Sequence, residues 1–189
     1  KQKKGTFDLI LSTYSFAHID DIVSVVNGVR NLSSDTGSFV FDVHLVGTLL
    51  KKFQFPFIYH EHLYYYSLKA LSMLLEKEKL KVYDIEEIGN HGGSIRVYAC
   101  KDGRQVSNSV EEFKVKEENL GLYSFEAYQS FSLKIDNYKK EFKKLLTSLK
   151  KKGKRLVGYG ASGQSTTFLN ILGIDSSLID FVVDDSPLK

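Results

Sequence analysis

Phe7-Asp8-Leu9-Ile10-Leu11 is a short apolar run, and together with the residues after it this run decides the fold class. The run reads as a buried parallel strand. Asp20 and Asp21 stand at a helix start, where carboxylates accept free backbone N–H groups. Ile22, Val25, Val26, Val29 and Leu32 then recur at helical spacing, Asp35-Thr36-Gly37 makes a turn, and Ser38 to Val43 is a second strand. Strand, helix and strand joined by short links mark an open α/β sheet.

The pattern continues outward. Leu45 to Phe53 reads as a short helix or loop that Pro56 ends, and Ser67 can cap a helix running to about Lys79. Lys81 to Ile88 and Ser94 to Cys100 are strand candidates joined by His91-Gly92-Gly93. With no helix between them, they form an antiparallel pair at one edge of the sheet. Residues 101–123 are polar and charged and make the best domain boundary. A long helix is predicted from about Ser124 to Lys150, its buried stripe formed by Phe125, Tyr128, Phe131, Ile135, Tyr138, Phe142, Leu145 and Leu149. Arg155 to Tyr159, the turn Gly160-Ala161-Ser162-Gly163, a helix Gln164 to Leu172 and a strand Ile179 to Val183 make a second β-α-β unit. The expected domains are therefore 1–101 and 102–189.

Composition narrows the function classes. The chain is 42% hydrophobic, with 13 Phe and 11 Tyr, enough for a packed core. Its net charge is only +3, and Arg occurs only at 30, 96, 104 and 155, which argues against a nucleic-acid surface. Cys100 is the lone cysteine, so no intrachain disulfide forms, and no apolar run reaches the roughly 20 residues of a membrane span. These features suit a cytoplasmic protein with neither a nucleic-acid nor a membrane partner. They do not speak to oligomeric state.

Three constellations can carry chemistry. The densest is Tyr59-His60-Glu61-His62, set between aromatics. Histidine titrates near neutral pH and serves as a general base unaided. A neighbouring carboxylate can orient its ring, and a tyrosine can donate to a developing oxyanion. The same residues also suit a surface loop. A metal is a third reading, because His60 and His62 would share a face of a strand and His91 could join them, but the spacing matches no closed zinc signature. The second constellation is His91-Gly92-Gly93-Ser94 with Arg96, either a tight turn or a close backbone approach to a ligand. The third is Gly158-Tyr159-Gly160-Ala161-Ser162-Gly163, a Gly-x-Gly-x-x-Gly spacing between strand and helix. It can present N–H groups to a phosphate or serve as a plain turn. Asp180 is the candidate for the acidic residue that a dinucleotide fingerprint places some way downstream.

Taken in order, Tyr59-His60-Glu61-His62-Leu63 with Tyr65 and Ser67, His91-Gly92-Gly93-Ser94-Ile95-Arg96-Val97-Tyr98, Gly158-Tyr159-Gly160-Ala161, and Ile179-Asp180-Phe181-Val182-Val183-Asp184-Asp185 with Pro187 and Lys189 resemble the S-adenosylmethionine (SAM)-dependent deoxysugar C-methyltransferases. The resemblance covers the chain from about Phe7 to its end. It implies the second half of a Rossmann-like SAM domain followed by a small C-terminal α/β domain. The zinc-binding domain and the glycine-rich SAM loop of the family would precede Lys1, so the chain alone is expected to be inactive. The implied reaction is C-methylation beside the ketone of a nucleotide-linked keto-sugar, through an enolate.

The resemblance places His62 as base and Tyr59 as its partner or the enolate stabiliser. Glu61 holds the sugar or a histidine, and His18, just after the first strand, is a second donor. His60, His91, Arg96, Tyr159, Gly160 and Ala161 are the expected sugar-nucleotide contacts, and Ser12 and Thr13 the cofactor contacts. The family commonly has Asn where this chain reads Ser12-Thr13-Tyr14-Ser15-Phe16, and Lys where it has Gln164. Rival readings are a nucleotide-sugar oxidoreductase using the 158–163 turn and a non-catalytic nucleotide-binding module.

Overall fold

A computed structural model describes residues 5–101 and 103–188. Asp102, where the sequence places the start of a second domain, and Lys189, the last residue of the closing motif, lie outside the described residues. The chain forms two compact units, one from Lys1–Lys52 and Glu61–Ser124, the other from Phe53–His60 and Phe125–Lys189.

In the first unit, β1 (Phe7–Thr13), α1 (Ile22–Leu32) and β2 (Ser33–His44) give the expected order of strand, helix and strand, with β1 and β2 parallel; the expected turn at Asp35-Thr36-Gly37 is instead part of β2, because pairing with β1 already starts at Ser33, opposite Phe7. Asp21 caps α1 by accepting the Ser24 N–H at 3.0 Å. After α2 (Val46–Lys51), helix α3 (Leu68–Lys77) starts at Ser67, whose hydroxyl accepts the Ala70 N–H. Then β3 (Lys81–Ile88) and β4 (Ser94–Cys100) pair antiparallel, giving the order β1-β2-β4-β3. The last strand in sequence thus lies inside the sheet, against β2. Its Val97 and Ala99 have no exposed surface, and Leu68, Leu71 and Leu75 of α3 are equally buried. Each such leucine contributes roughly 1.5–3 kcal/mol.

β1 is not a buried strand: Leu9 and Leu11 are 55% and 66% exposed, because β2 is its sole strand neighbour among the described residues. The division between units does not fall within residues 101–123. These residues contain α4 (Asn108–Asn119), which packs Val110 and Phe113 into the core of the first unit, so the division falls after Ser124. Buried Glu117 of α4 accepts the Leu68 N–H at 2.7 Å, the Lys69 N–H at 3.3 Å and the Tyr123 hydroxyl at 2.8 Å. It thereby satisfies donors at the start of α3 that the helix itself leaves free.

The second unit holds α5 (Phe125–Lys151), β5 (Val157–Tyr159), α6 (Gly163–Leu172) and β6 (Phe181–Val183), with β5 and β6 parallel. Its core is aromatic. Phe55 stacks on Phe168 at 5.8 Å and Tyr138 on Phe142 at 5.6 Å, while Phe131 meets Phe53 edge-on at 5.7 Å. Within α5 the buried residues are Phe131 and Leu146, while Phe125 and Leu145 of the expected stripe face solvent. Phe131, Phe142 and Leu146 lie eleven and four residues apart, close to whole helical turns, so Leu145 is rotated off that face.

Candidate active site

The functional edge of the first unit is the carboxyl end of its parallel strands, where open α/β sheets bind ligands. β1 ends at Thr13, and a 3-10 turn over Phe16–His18 comes next, anchored by buried Phe16. β2 ends at His44, which pairs with Ser94 at the start of antiparallel β4. The sheet order therefore brings Ser12, Thr13, Tyr14, His18, His44 and the His91 loop to one edge, although His91 lies far from the others in sequence.

Residues 61–63 close over the end of β1. The Leu63 N–H donates to the Ala17 carbonyl at 2.7 Å, and His18 Nδ1 lies 2.8 Å from the Glu61 carbonyl oxygen. A carbonyl only accepts, so Nδ1 carries the hydrogen and Nε2 of neutral His18 offers a lone pair. The His62 ring stands edge-on to His18, centroids 4.9 Å apart, and meets Tyr65 edge-on at 6.0 Å. The contact of Glu61 with His18 is thus made by its backbone carbonyl and not by its carboxylate. Ser12 Oγ is 2.5 Å from Ser15 Oγ, which fixes its hydroxyl at the strand end.

Tyr14 has a left-handed backbone, φ 50°, and so does His91, φ 52°. Such conformations are costly for bulky residues, of order 1–3 kcal/mol each. The Tyr14 N–H donates to the Asp42 carbonyl at 3.0 Å, and the Tyr14 ring packs edge-on against His91 with centroids 4.3 Å apart. Its phenolic oxygen is buried and has no hydrogen-bond partner among the described residues. The His91 loop is held by glycine. Gly93 has φ 126°, and a Cβ there would lie 3.1 Å from Thr48 Cγ2.

Arg96 lies on the sheet next to this edge. Its guanidinium meets Asp42 through two bonds, 2.8 Å and 3.2 Å, and approaches Glu86 at 3.7 Å. The Asp42 hydrogen bonds raise its pKa further above the ordinary arginine range. Arg96 therefore bridges β4, β2 and β3.

Besides the division after Ser124, a boundary between units falls between His60 and Glu61. Tyr59 and His60 thus belong to the second unit, where the Tyr59 ring lies against the start of α6, such that a Cβ on Gly163 would come within 3.4 Å of it. The glycine turn is closed on its own side chains. The Ala161 N–H donates to Asp184 at 2.6 Å, the Gly160 N–H (Gly160 φ 93°) to the Val183 carbonyl at 2.7 Å, and the Tyr159 hydroxyl to Asp185 at 2.5 Å. The Asp185 bond, then burial, raises the Tyr159 pKa. Ser162 caps α6 by accepting the Ser165 N–H.

Of the turn's N–H groups, that of Ala161 is thus engaged with a carboxylate and that of Gly160 with a backbone carbonyl. Asp180 is paired too, 2.5 Å from Lys150 and 3.5 Å from Arg155, which holds its carboxyl below the usual range. It is not placed as a free ribose acceptor. Beside the turn lies a cavity of about 340 Å³, lined mainly by Pro56, Tyr159, Gln164, Phe168, Leu169 and Val182.

Among the described residues there is no group of three or more His, Cys, Asp or Glu side chains placed to hold a metal. No helix there is long and apolar enough to cross a membrane. Tyr14 is the residue of this edge that the sequence reading passed over, since a left-handed backbone leaves no mark in an aromatic-rich stretch.

Residues 89–189 match the family model described as the C-methyltransferase C-terminal domain, and residues 1–85 match one described as a methyltransferase domain. The chain is 33% identical over 189 residues to C-methyltransferase NovU of Streptomyces niveus, an alignment covering 99% of this chain and 45% of that protein. The chain thus spans a little under half the length of that curated relative. Among solved structures, similarity extends to a possible histamine N-methyltransferase from Thermotoga maritima (TM-score 0.44, 12% identity, 52% of this chain and 57% of that one). It also extends to a magnesium protoporphyrin IX methyltransferase from Synechocystis with bound S-adenosylhomocysteine (TM-score 0.41, 14% identity, 53% and 48%).

Proposed function

The chain belongs to the C-methyltransferase family, and we propose that it forms part of a SAM-dependent enzyme that methylates a ring carbon next to the ketone of a nucleotide-linked keto-deoxysugar. The observation that carries this reading is the pair His18 and His62 at the carboxyl edge, edge-on at 4.9 Å, with His18 tethered to the Glu61 carbonyl.

Such a pair suits proton removal from carbon. Neutral His62 takes the proton next to the ketone, and the electron pair left behind delocalises onto the ketone oxygen as an enolate. With Nδ1 held by Glu61, His18 presents Nε2 outward. As the imidazolium it donates from Nε2 to the enolate oxygen, where the charge develops. For Tyr59 the proposal is a role that depends on its hydroxyl, tested by Tyr59→Phe.

SAM supplies the electrophilic methyl carbon when bound. Ser12 and Thr13 suit its near side: their hydroxyl-bearing side chains stand at the strand end where such ligands lie, and Ser12 is fixed by Ser15. The free edge of β1, with Leu9 and Leu11 exposed, suits further strands of a larger sheet. We assign the remaining cofactor contacts to the rest of the complete enzyme.

In the second unit, engaged turn donors and a cavity bordered by Phe168 and Pro56 favour an uncharged part of the sugar nucleotide, such as its base, over its phosphates. The complete enzyme should transfer labelled methyl from SAM to carbon of a nucleotide 4-keto-6-deoxyhexose, read by NMR. Oxidation or reduction of that sugar with a nicotinamide cofactor, without methylation, would replace this reading.

A further inference from the structure

Tyr14 stands out at the carboxyl edge. It combines a left-handed backbone, φ 50°, with a buried phenolic oxygen that has no hydrogen-bond partner among the described residues. Either feature alone is unfavourable in a folded chain. Both are over-determined by their surroundings. The Tyr14 N–H is fixed to the Asp42 carbonyl at 3.0 Å. The ring is held edge-on by His91, which itself has a left-handed backbone and is followed by Gly92 at φ 79° and Gly93 at φ 126°. The structure thus fixes a phenol firmly while leaving its polar atom without an acceptor among the described residues. That combination is characteristic of a group held in place for a ligand.

The chemistry of the surroundings narrows the ligand. The ring packs edge-on against the His91 imidazole, and its hydroxyl can donate to a hydroxyl or carbonyl oxygen of a ligand. It lies four residues before His18, across a single 3-10 turn closed by the His18 N–H to Ser15 carbonyl bond at 3.0 Å. Ser12 and Thr13, proposed for the cofactor, lie on the other side of Tyr14 along the chain.

We propose that the Tyr14 hydroxyl is a specificity-determining donor to a hydroxyl or carbonyl oxygen of the methyl-acceptor sugar, and that His91 is the positioning residue that holds its ring. This rests on the proposed keto-sugar acceptor. It explains why a bulky aromatic occupies a backbone conformation that suits Gly or Asn better, and it gives the His91-Gly92-Gly93 loop a task beyond joining two strands. A site that hydrogen-bonds a substrate oxygen discriminates strongly against analogues lacking it.

The test uses the complete enzyme as wild type, Tyr14→Phe, His91→Leu and the double variant. A nucleotide 4-keto-6-deoxyhexose is the acceptor probe and S-adenosylhomocysteine the cofactor probe. Tyr14→Phe should lower kcat/KM for the acceptor by about 10-fold or more, the worth of one hydrogen bond in a dry site. Its S-adenosylhomocysteine affinity should be unchanged, and its ligand-free Tm equal or higher, because the unpartnered hydroxyl is gone. His91→Leu should lower kcat/KM in the wild-type background and add nothing further in Tyr14→Phe. Unchanged kcat/KM in Tyr14→Phe, loss of S-adenosylhomocysteine affinity alone, or a lowered Tm with a parallel loss of activity would each overturn the proposal. An active wild type with an unaffected Tyr14→Phe overturns this proposal alone, whereas a wild type that methylates no keto-sugar overturns the reading beneath it as well.

Discussion

The imidazole rings of His18 and His62 stand edge to face, centroids 4.9 Å apart with their planes at 66°. Forty-three residues separate His18 from Glu61, yet the Leu63 N–H to Ala17 carbonyl bond and the His18 Nδ1 bond to the Glu61 carbonyl hold the two segments together. In the proposed role the bond to Glu61 occupies Nδ1, and His18 as the imidazolium donates to the enolate oxygen from Nε2. His18→Ala in the complete enzyme should therefore lower kcat by about 10²–10³, the usual loss on removing one oxyanion donor. Affinity for S-adenosylhomocysteine should hold. Steady-state kinetics together with calorimetry separate the two effects.

Glu117 receives three hydrogen bonds while only 2% exposed, two of them from the first turn of α3. Glu117→Ala strands buried donors and should destabilise the fold by about 1–3 kcal/mol. Tyr123→Phe removes one donor from the same carboxyl group and should act more weakly. Urea midpoints of the two variants give the ranking, and equal midpoints would deny Glu117 its capping role.

How much of this could be read from residues alone differs by element. β1, α1 and β2 were legible because apolar runs and helical spacing alternate cleanly, and Ser67 announced α3 by its capping chemistry. α4 was not, because its sequence is charged nearly all round and it buries a glutamate beside Val110 and Phe113. A hydrophobic pattern carries no signal for a buried carboxyl group. The burial of β1 was overestimated because an apolar run does not say how many neighbours a strand has. At the site, the histidines and the glycine loop were legible as residue types. The contact between the His18 turn and Glu61-His62-Leu63 was not, since it rests on hydrogen bonds between irregular segments. Nor were the bonds from Ala161 to Asp184 and from Tyr159 to Asp185.

Tyr66 ties pH to stability. It is 6% exposed and donates to the Phe16 carbonyl at 3.2 Å. Burial, then the neighbouring Tyr64, raises its pKa well above the ordinary tyrosine range. A raised folded-state pKa means that its contribution is fully present below the unfolded value, about 10. It is lost as pH rises past that value toward the folded-state one. The Tm should therefore fall as pH is raised above about 10, and fall less in Tyr66→Phe. Identical alkaline profiles for both proteins would remove Tyr66 as the cause.

The central claim is that His62 removes the proton next to the ketone. Its most direct test is solvent exchange: the complete enzyme, a nucleotide 4-keto-6-deoxyhexose and S-adenosylhomocysteine in deuterated water, with proton NMR of the carbon next to the ketone as the readout. The wild type should exchange that proton for deuterium. His62→Ala should lose exchange and turnover together, by about 10²–10⁴, with S-adenosylhomocysteine affinity intact. Full exchange and full turnover in a folded His62→Ala enzyme would contradict the account and leave the histidine pair a structural feature of the sheet edge.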